Sequence, residues 1–436
     1  MKKIMILLQV SILFISLSAD MKKQNMASLE LIIKTDKKDA VYKIGEKINF
    51  SAVFVKDGKA VPGKKLNYII ERDGSETLKG EIVSAEKPVL METFLEKPGF
   101  ALCTVSFTDN GKEIKSFAGA GAMPYEIKPA SSCPDDFDKF WSEKKALLNK
   151  IPLDVKREKV ETPVEFRGKL ECFEVKADCG EWGQVSGYLV MPVNAAKDSL
   201  PGIVFYQSAG VLSVNLKYIC DRSGGNKIAF GVNAHGIDNG RTAEYYKNVS
   251  REKLEGYSYF NMDDRDKTYF IGMFLRAYRA LQIVKSLPEW DGKTLIAFGG
   301  SQGGGQALAA TALDSDVTFC VSRISALCDH HGIFEKRKSG WPQFIKKAKK
   351  MDVDKVADAV RYVDVVNFAR RINVETVMTV GFIDRTCSPA SVFAAYNSIP
   401  EGKKTMICSP EAGHGSVPSD VEKKIDEKLN EHITRK

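Results

Sequence analysis

Thr294-Leu295-Ile296-Ala297-Phe298-Gly299-Gly300-Ser301-Gln302-Gly303 decides how this chain is read. Its apolar part, preceded by the turn pair Asp291-Gly292, predicts a short buried strand. Downstream, Gln306-Ala307-Leu308-Ala309-Ala310-Thr311-Ala312-Leu313 is a run of good helix formers. Between strand and helix stands Gly-x-Ser-x-Gly, the sharp turn that lifts a serine hydroxyl over the end of a sheet. Its glycines let the two backbone segments pass closely. The context points to Ser301 as a nucleophile, with a Gly-rich strand-to-helix turn or phosphate loop as the competing reading.

A serine nucleophile needs a base and an acid, which follow it along α/β-hydrolase chains in the order acid, then histidine. The chain has five histidines, His235, His330, His331, His414 and His432. His235 precedes the serine, and His330 and His331 follow it too closely to leave room for an acid-bearing strand. His432 falls in the charged stretch 422–436, which predicts a solvated helix. His414 remains, in the loop Ser409-Pro410-Glu411-Ala412-Gly413-His414-Gly415 behind the short strand Thr405-Met406-Ile407-Cys408. Loops at the carboxyl ends of strands are where α/β enzymes hold their chemistry.

The strand Thr376-Val377-Met378-Thr379-Val380-Gly381 closes in Phe382-Ile383-Asp384. Asp352, Asp354, Asp358 and Asp364 lie in a stretch of helical period and are expected on solvated faces. Asp384 is therefore the candidate acid, orienting the imidazole of His414 and stabilising the imidazolium. Its alternative role is a turn or cap before Ser388-Pro389.

With these residues placed, the chain resembles the acetyl xylan esterase and cephalosporin-C deacetylase family of α/β-hydrolases, from about Cys133 onward. The segment Pro134-Asp135-Asp136-Phe137-Asp138-Lys139-Phe140-Trp141 and the turn Pro152-Leu153-Asp154 are similar to the family's opening. So are Gly187-Tyr188-Leu189-Val190-Met191-Pro192, Pro288-Glu289-Trp290-Asp291-Gly292 before the serine turn, Gly381-Phe382-Ile383-Asp384, and Ala394-Ala395-Tyr396-Asn397. The resemblance implies a cofactor-free Ser-His-Asp esterase that removes small acyl groups, chiefly acetate, from carbohydrate. It also implies an oxyanion hole built from the backbone N–H of Gln302 and one from the loop at Ala209. There the chain departs from the family, with Ala209 where better-known members carry tyrosine. A backbone donor is unaffected by that change, but the wall of the pocket is altered. His235, after the strand Ile228-Ala229-Phe230-Gly231-Val232, and Trp341 are further candidates for substrate contact.

Before residue 130 the pattern differs. Short alternating runs such as Ile48-Phe50-Ala52-Phe54 and Ala101-Cys103-Val105-Phe107 are separated by Asp57-Gly58, Asp73-Gly74 and Asn110-Gly111. This predicts an immunoglobulin-like β-sandwich over 20–130, followed by an α/β-hydrolase catalytic domain over 131–436. Within the latter, residues 269–286 predict a long amphipathic helix. Residues 1–19 read as a secretory signal, Lys2 and Lys3 leading an apolar core too short for a membrane span, so an exported, soluble protein is expected.

Nine cysteines show no metal-ligand spacing; they are expected to be mostly buried small hydrophobes, with Cys172 and Cys179 as one candidate bridge. The net charge of +8 is spread along the chain, and no aromatic-basic motif supports nucleic-acid binding. The expected partner is an acetylated oligo- or polysaccharide, and a homo-oligomer is a candidate assembly. An esterase for larger acyl groups, a peptidase on the same scaffold, and a non-catalytic glycan-binding protein are the alternatives.

Overall fold

The computed structural model describes residues 29–435, so the expected signal at 1–19 lies outside the described residues. Nine strands come first: β1 (Leu29–Thr35), β2 (Val41–Tyr42), β3 (Ile48–Lys56), β4 (Lys59–Ala60), β5 (Lys65–Arg72), β6 (Leu78–Val83), β7 (Val89–Thr93), β8 (Gly99–Asp109) and β9 (Lys112–Ala122). They form a four-stranded sheet around β3 and a five-stranded sheet of order β2-β9-β8-β5-β6. Along β3, Ile48, Phe50, Ala52 and Phe54 are buried while the residues between them are partly exposed. Together with Leu66, Ile70, Cys103 and Val105 of the other sheet they make one apolar core. This is the period-2 burial that favours strands. Asn110 and Gly111, at φ 48° and 79°, close the β8–β9 hairpin in the primed turn that such a pair favours.

The second region begins with the helix Phe137–Asn149 and builds a nine-stranded mixed sheet. Its strands are β10 (Lys156–Val160), β11 (Leu170–Asp178), β12 (Gln184–Pro192), β13 (Leu200–Tyr206), β14 (Ile228–Val232), β15 (Trp290–Gly300), β16 (Phe319–Arg323), β17 (Glu375–Gly381) and β18 (Lys404–Ser409). Their order is β10-β11-β12-β14-β13-β15-β16-β17-β18. From β14 to β18 all neighbours run parallel, whereas β10, β11 and β12 are antiparallel additions. Alternation distributes the strand side chains between two cores. Val204, Tyr206, Leu295 and Ala297 face one layer of helices, while Ile203, Phe205, Ile296 and Phe298 face the helices Leu216–Ser223 and Ser419–Thr434. A parallel sheet covered on both faces explains the nearly unbroken apolar run in β15.

Several details differ from the sequence expectation. The helix Tyr269–Lys285 is buried on nearly every face, because it is covered by other helices as well as by the sheet. Asp364 is buried rather than solvated; it caps the helix Val365–Ala369 and accepts backbone N–H bonds from Asp329, His330 and Val366. Cys172 lies beside Cys220, Sγ to Sγ 3.6 Å, instead of pairing with Cys179, and every cysteine is a free thiol. His432 is half-buried, packed on Phe319 and bonded to Thr318. Among the described residues no helix is long and apolar enough to cross a membrane.

Candidate active site

At the carboxyl end of β15 the chain turns directly into the helix Gln302–Leu313, and Ser301 sits at the turn with φ 55° and ψ −122°. An L-residue held at positive φ stores backbone strain, which persists only where packing over-determines it. Packing does so here. A Cβ on Gly299 would collide with the carbonyl of Gly303, and one on Gly303 would collide with the carbonyl of Tyr206. The Ser301 N–H is held by the carbonyl of Arg323, 2.9 Å away.

Three carboxyl strand ends then converge. His414, in the loop after β18, places Nε2 3.1 Å from Ser301 Oγ. Its Nδ1 lies 2.8 Å from Oδ2 of Asp384, which follows β17. Asp384 is fully buried at its side chain, whereas that of His414 is 27% exposed to the cleft. The other carboxylate oxygen, Oδ1, accepts N–H bonds from Thr386 at 2.8 Å and Cys387 at 2.9 Å, which fixes the plane of the carboxylate. The two loops are themselves joined, Phe382 N–H donating to Ser409 O and Ile383 N–H to Ala412 O. Ligand atoms of Asp384, Cys387 and His414 lie within 4.8 Å of one another, the one such metal-capable group among the described residues. Asp384 and His414 are already hydrogen-bonded to each other there.

A cleft of about 550 Å³ opens over Ser301 and is walled by Ser208, Ala209, Arg323, His414 and Glu422 among others. Ala209 is exposed on the loop after β13, facing the nucleophile across the cleft. Gln302 occupies the first turn of its helix, where a backbone N–H has no carbonyl one turn back to accept it. Arg323 is ion-paired with Glu422 and lies over the ring of Phe298.

The two other candidate residues occupy different places. His235 is buried behind the Ala209 loop, its Nε2 3.2 Å from the carbonyl of Gly210 and its Nδ1 2.7 Å from the hydroxyl of Tyr269. A carbonyl can only accept, so Nε2 carries the proton and Tyr269 donates to Nδ1. Burial, with Arg276 nearby, lowers its pKa from 6.5 to about 4. Trp341 is half-buried in the same aromatic cluster, packed on Tyr257 and Phe270.

Two residues that sequence reading passed over support the Ala209 loop and the side chain of Gln302. Gln207 ties its own loop together, donating to the carbonyls of Leu212 and Ser213 and accepting from Ala234 N–H. Tyr257 donates to the side-chain oxygen of Gln302 at 2.7 Å. Neither contact has a local sequence signal, because each partner lies elsewhere along the chain or depends on how a loop closes.

The chain is similar to several known esterases. The chain is 31% identical over 316 residues to the acetyl esterase Axe7A of Xylanibacter ruminicola, a match spanning 72% of this chain and 70% of that protein. The solved acetyl xylan esterase from Paenibacillus sp. R4 superposes with a TM-score of 0.61 at 27% identity, over 70% of this chain and 98% of that one. Acetyl Xylan Esterase 1 from Thermoanaerobacterium sp. JW/SL YS485 shares the fold, with a TM-score of 0.60 at 23% identity over 70% of this chain and 97% of that one. The family model for acetyl xylan esterase (AXE1) matches residues 123–432, so the chain belongs to the acetyl xylan esterase family of α/β-hydrolases and is a carboxylic ester hydrolase.

Proposed function

We propose that this protein is a serine esterase that removes acetyl groups from carbohydrate. The observation that carries the reading is the continuous hydrogen-bonded chain from Ser301 through His414 to Asp384. In the first step Ser301 Oγ attacks the ester carbonyl while His414 Nε2 takes its proton, and Asp384 holds the opposite nitrogen of the ring. The developing oxyanion is met by the backbone N–H groups of Gln302 and Ala209. The sugar hydroxyl leaves with the proton from His414. Water, deprotonated by the same histidine, then attacks the acetyl-serine and releases acetate.

The family and its named relatives support a carbohydrate ester as substrate. We extend the reading to an exported protein with a β-sandwich of immunoglobulin type over 20–130 and a catalytic domain over 131–436. The two packed antiparallel-rich sheets with one shared core support the first domain.

The test is Ser301→Ala. Hydrolysis of p-nitrophenyl acetate should fall by about 10⁶-fold in kcat, as when the nucleophile of a serine hydrolase is removed, while the melting temperature is retained. Turnover that survives the substitution rules out Ser301. Acetate release from a panel of acetylated glycans, set beside butyrate, feruloyl and peptide substrates, separates the proposed reaction from the same chemistry on larger acyl groups. Absence of fluorophosphonate labelling would favour a non-catalytic glycan-binding protein.

A further inference from the structure

The loop that carries Asp384 is gripped by the N-terminal β region on both sides of the carboxylate. Ahead of Asp384, the backbone of β9 lies against Phe382. A Cβ placed on Gly119 would run into the carbonyl oxygen, carbonyl carbon and Cβ of that residue. The ring of Phe100, on the neighbouring strand β8, meets the Phe382 ring edge-on with centroids 5.0 Å apart. Phe100 also stacks at 5.7 Å on Phe393, which lies in the helix Pro389–Ser398 that follows the acid loop. Behind Asp384, the Arg385 guanidinium stands 5.3 Å from the centre of the Phe117 ring, also on β9.

The grip extends to the histidine. Phe117 and Gly119 share the walls of a cleft of about 300 Å³ with Pro410 and Glu411, which begin the His414 loop. Phe382 and Ile383 hydrogen-bond to that loop at Ser409 and Ala412. Phe100 and Phe382 are both fully or almost fully buried, at 6% and 1% exposure, so their contact is a packed one. The same region is also tied down beyond the acid loop, by Gly74 N–H donating to Lys336 O and by the ion pair of Lys336 with Glu76.

We propose that β8 and β9 are positioning elements of the active site: Gly119, Phe100 and Phe117 set where Asp384 presents its carboxylate to His414. This rests on the reading of Asp384 as the acid behind His414. Close packing transmits displacement, because a packed interior has no slack to absorb an added methyl group. Misplacement of a reacting group by about 1 Å can cost about 100-fold in rate. The N-terminal region is therefore required for full activity without touching substrate.

The experiment uses the full chain, first confirming that the wild type hydrolyses p-nitrophenyl acetate and that Ser301→Ala does not. Failure at that stage would overturn the esterase reading and the positioning proposal with it, whereas a failure confined to the later variants overturns the proposal alone. Gly119→Val and Phe117→Leu are then compared with Phe50→Leu, a core substitution in the same β region whose side chain packs within that region's own core. Gly119→Val should lower kcat by about tenfold or more with little change in KM. Phe117→Leu should show the same loss of kcat to a smaller extent. Phe50→Leu should lower the melting temperature and leave kcat and KM in place.

The proposal is overturned if folded Gly119→Val keeps the wild-type kcat, or if Phe50→Leu lowers kcat as far. If Gly119→Val does not fold, the comparison of Phe117→Leu with Phe50→Leu decides by the same criteria.

Discussion

His414 and His330 sit in one catalytic region and are built for opposite ends. His414 has a partner at each ring nitrogen, Asp384 on one side and Ser301 on the other, and part of its side chain reaches the cleft. His330 is completely buried, edge-on to Phe344 at 4.7 Å, and neither of its ring nitrogens finds a hydrogen-bond partner among the described residues. Burial without a partner drives its pKa from 6.5 down to about 3. The difference teaches that the groups standing at the ring nitrogens decide what a histidine can do in this fold. His235 stands between the two, doubly hydrogen-bonded yet held neutral, with neutral groups at both nitrogens.

The comparison breaks most sharply at the acid. Asp384→Asn keeps the size of the side chain but puts an amide where the carboxylate meets Nδ1. If that amide donates, Nδ1 must accept, Nε2 then carries the proton, and the ring can no longer take one from Ser301. A fall in kcat of about 10⁴-fold is expected, as for the same change in a serine protease triad. Steady-state kinetics on p-nitrophenyl acetate check it, and an effect below tenfold would demote Asp384 to a turn residue. A smaller effect is expected at His235→Phe, which removes the donor to Gly210, next to the proposed oxyanion donor Ala209. Loosening of that loop should lower kcat by about 10- to 100-fold, with affinity for a boronic-acid transition-state mimic falling in parallel and ground-state binding retained. Unchanged kcat would leave His235 as packing alone.

How much of this was legible beforehand follows from what kind of contact is involved. Ser301 and Asp384 each follow a strand, and strands announce themselves locally through apolar runs and the glycines or turns after them; His414 is reached by elimination among five histidines and by its loop behind another strand. The three residues meet within hydrogen-bonding distance. The alternation in β3 and the Asn110-Gly111 turn were legible for the same reason. Asp364 departs from its expected solvated face because the helical period stops before residues 361–364, where the chain breaks and starts the short helix Val365–Ala369; its capping role depends on that break. The helix Tyr269–Lys285 had a recognisable apolar stripe, but the layer that buries its other side comes from distant segments. Contacts such as Phe100 with Phe382 and Tyr257 with Gln302 have no local signature, since what pairs them is the arrangement of whole elements.

The smallest effect concerns stability alone and isolates the uncharged end of the comparison. Above pH 6.5 His330 is neutral whether the chain is folded or not, so it contributes no pH dependence there. As pH falls from 6.5 toward 3, the unfolded chain takes up a proton that the folded one refuses, and stability is lost at up to about 1.4 kcal/mol per pH unit. Asp329, two-sidedly placed near Arg337 and Asp364, opposes this trend. Its pKa is raised from 3.8 to about 6 chiefly by burial, so the folded state holds the extra proton between those values and loses stability as pH rises through them. Wild-type melting therefore reports a sum, and the difference between wild type and His330→Phe reports the histidine. His330→Phe should leave esterase activity at pH 7 unchanged and flatten the acid limb of melting temperature against pH below 6.5. It also removes two unpartnered nitrogens from the core, so melting at pH 7 should hold or rise. Parallel acid limbs in the two proteins would mean that His330 does find a partner for its proton, and the contrast with His414 would then be one of degree.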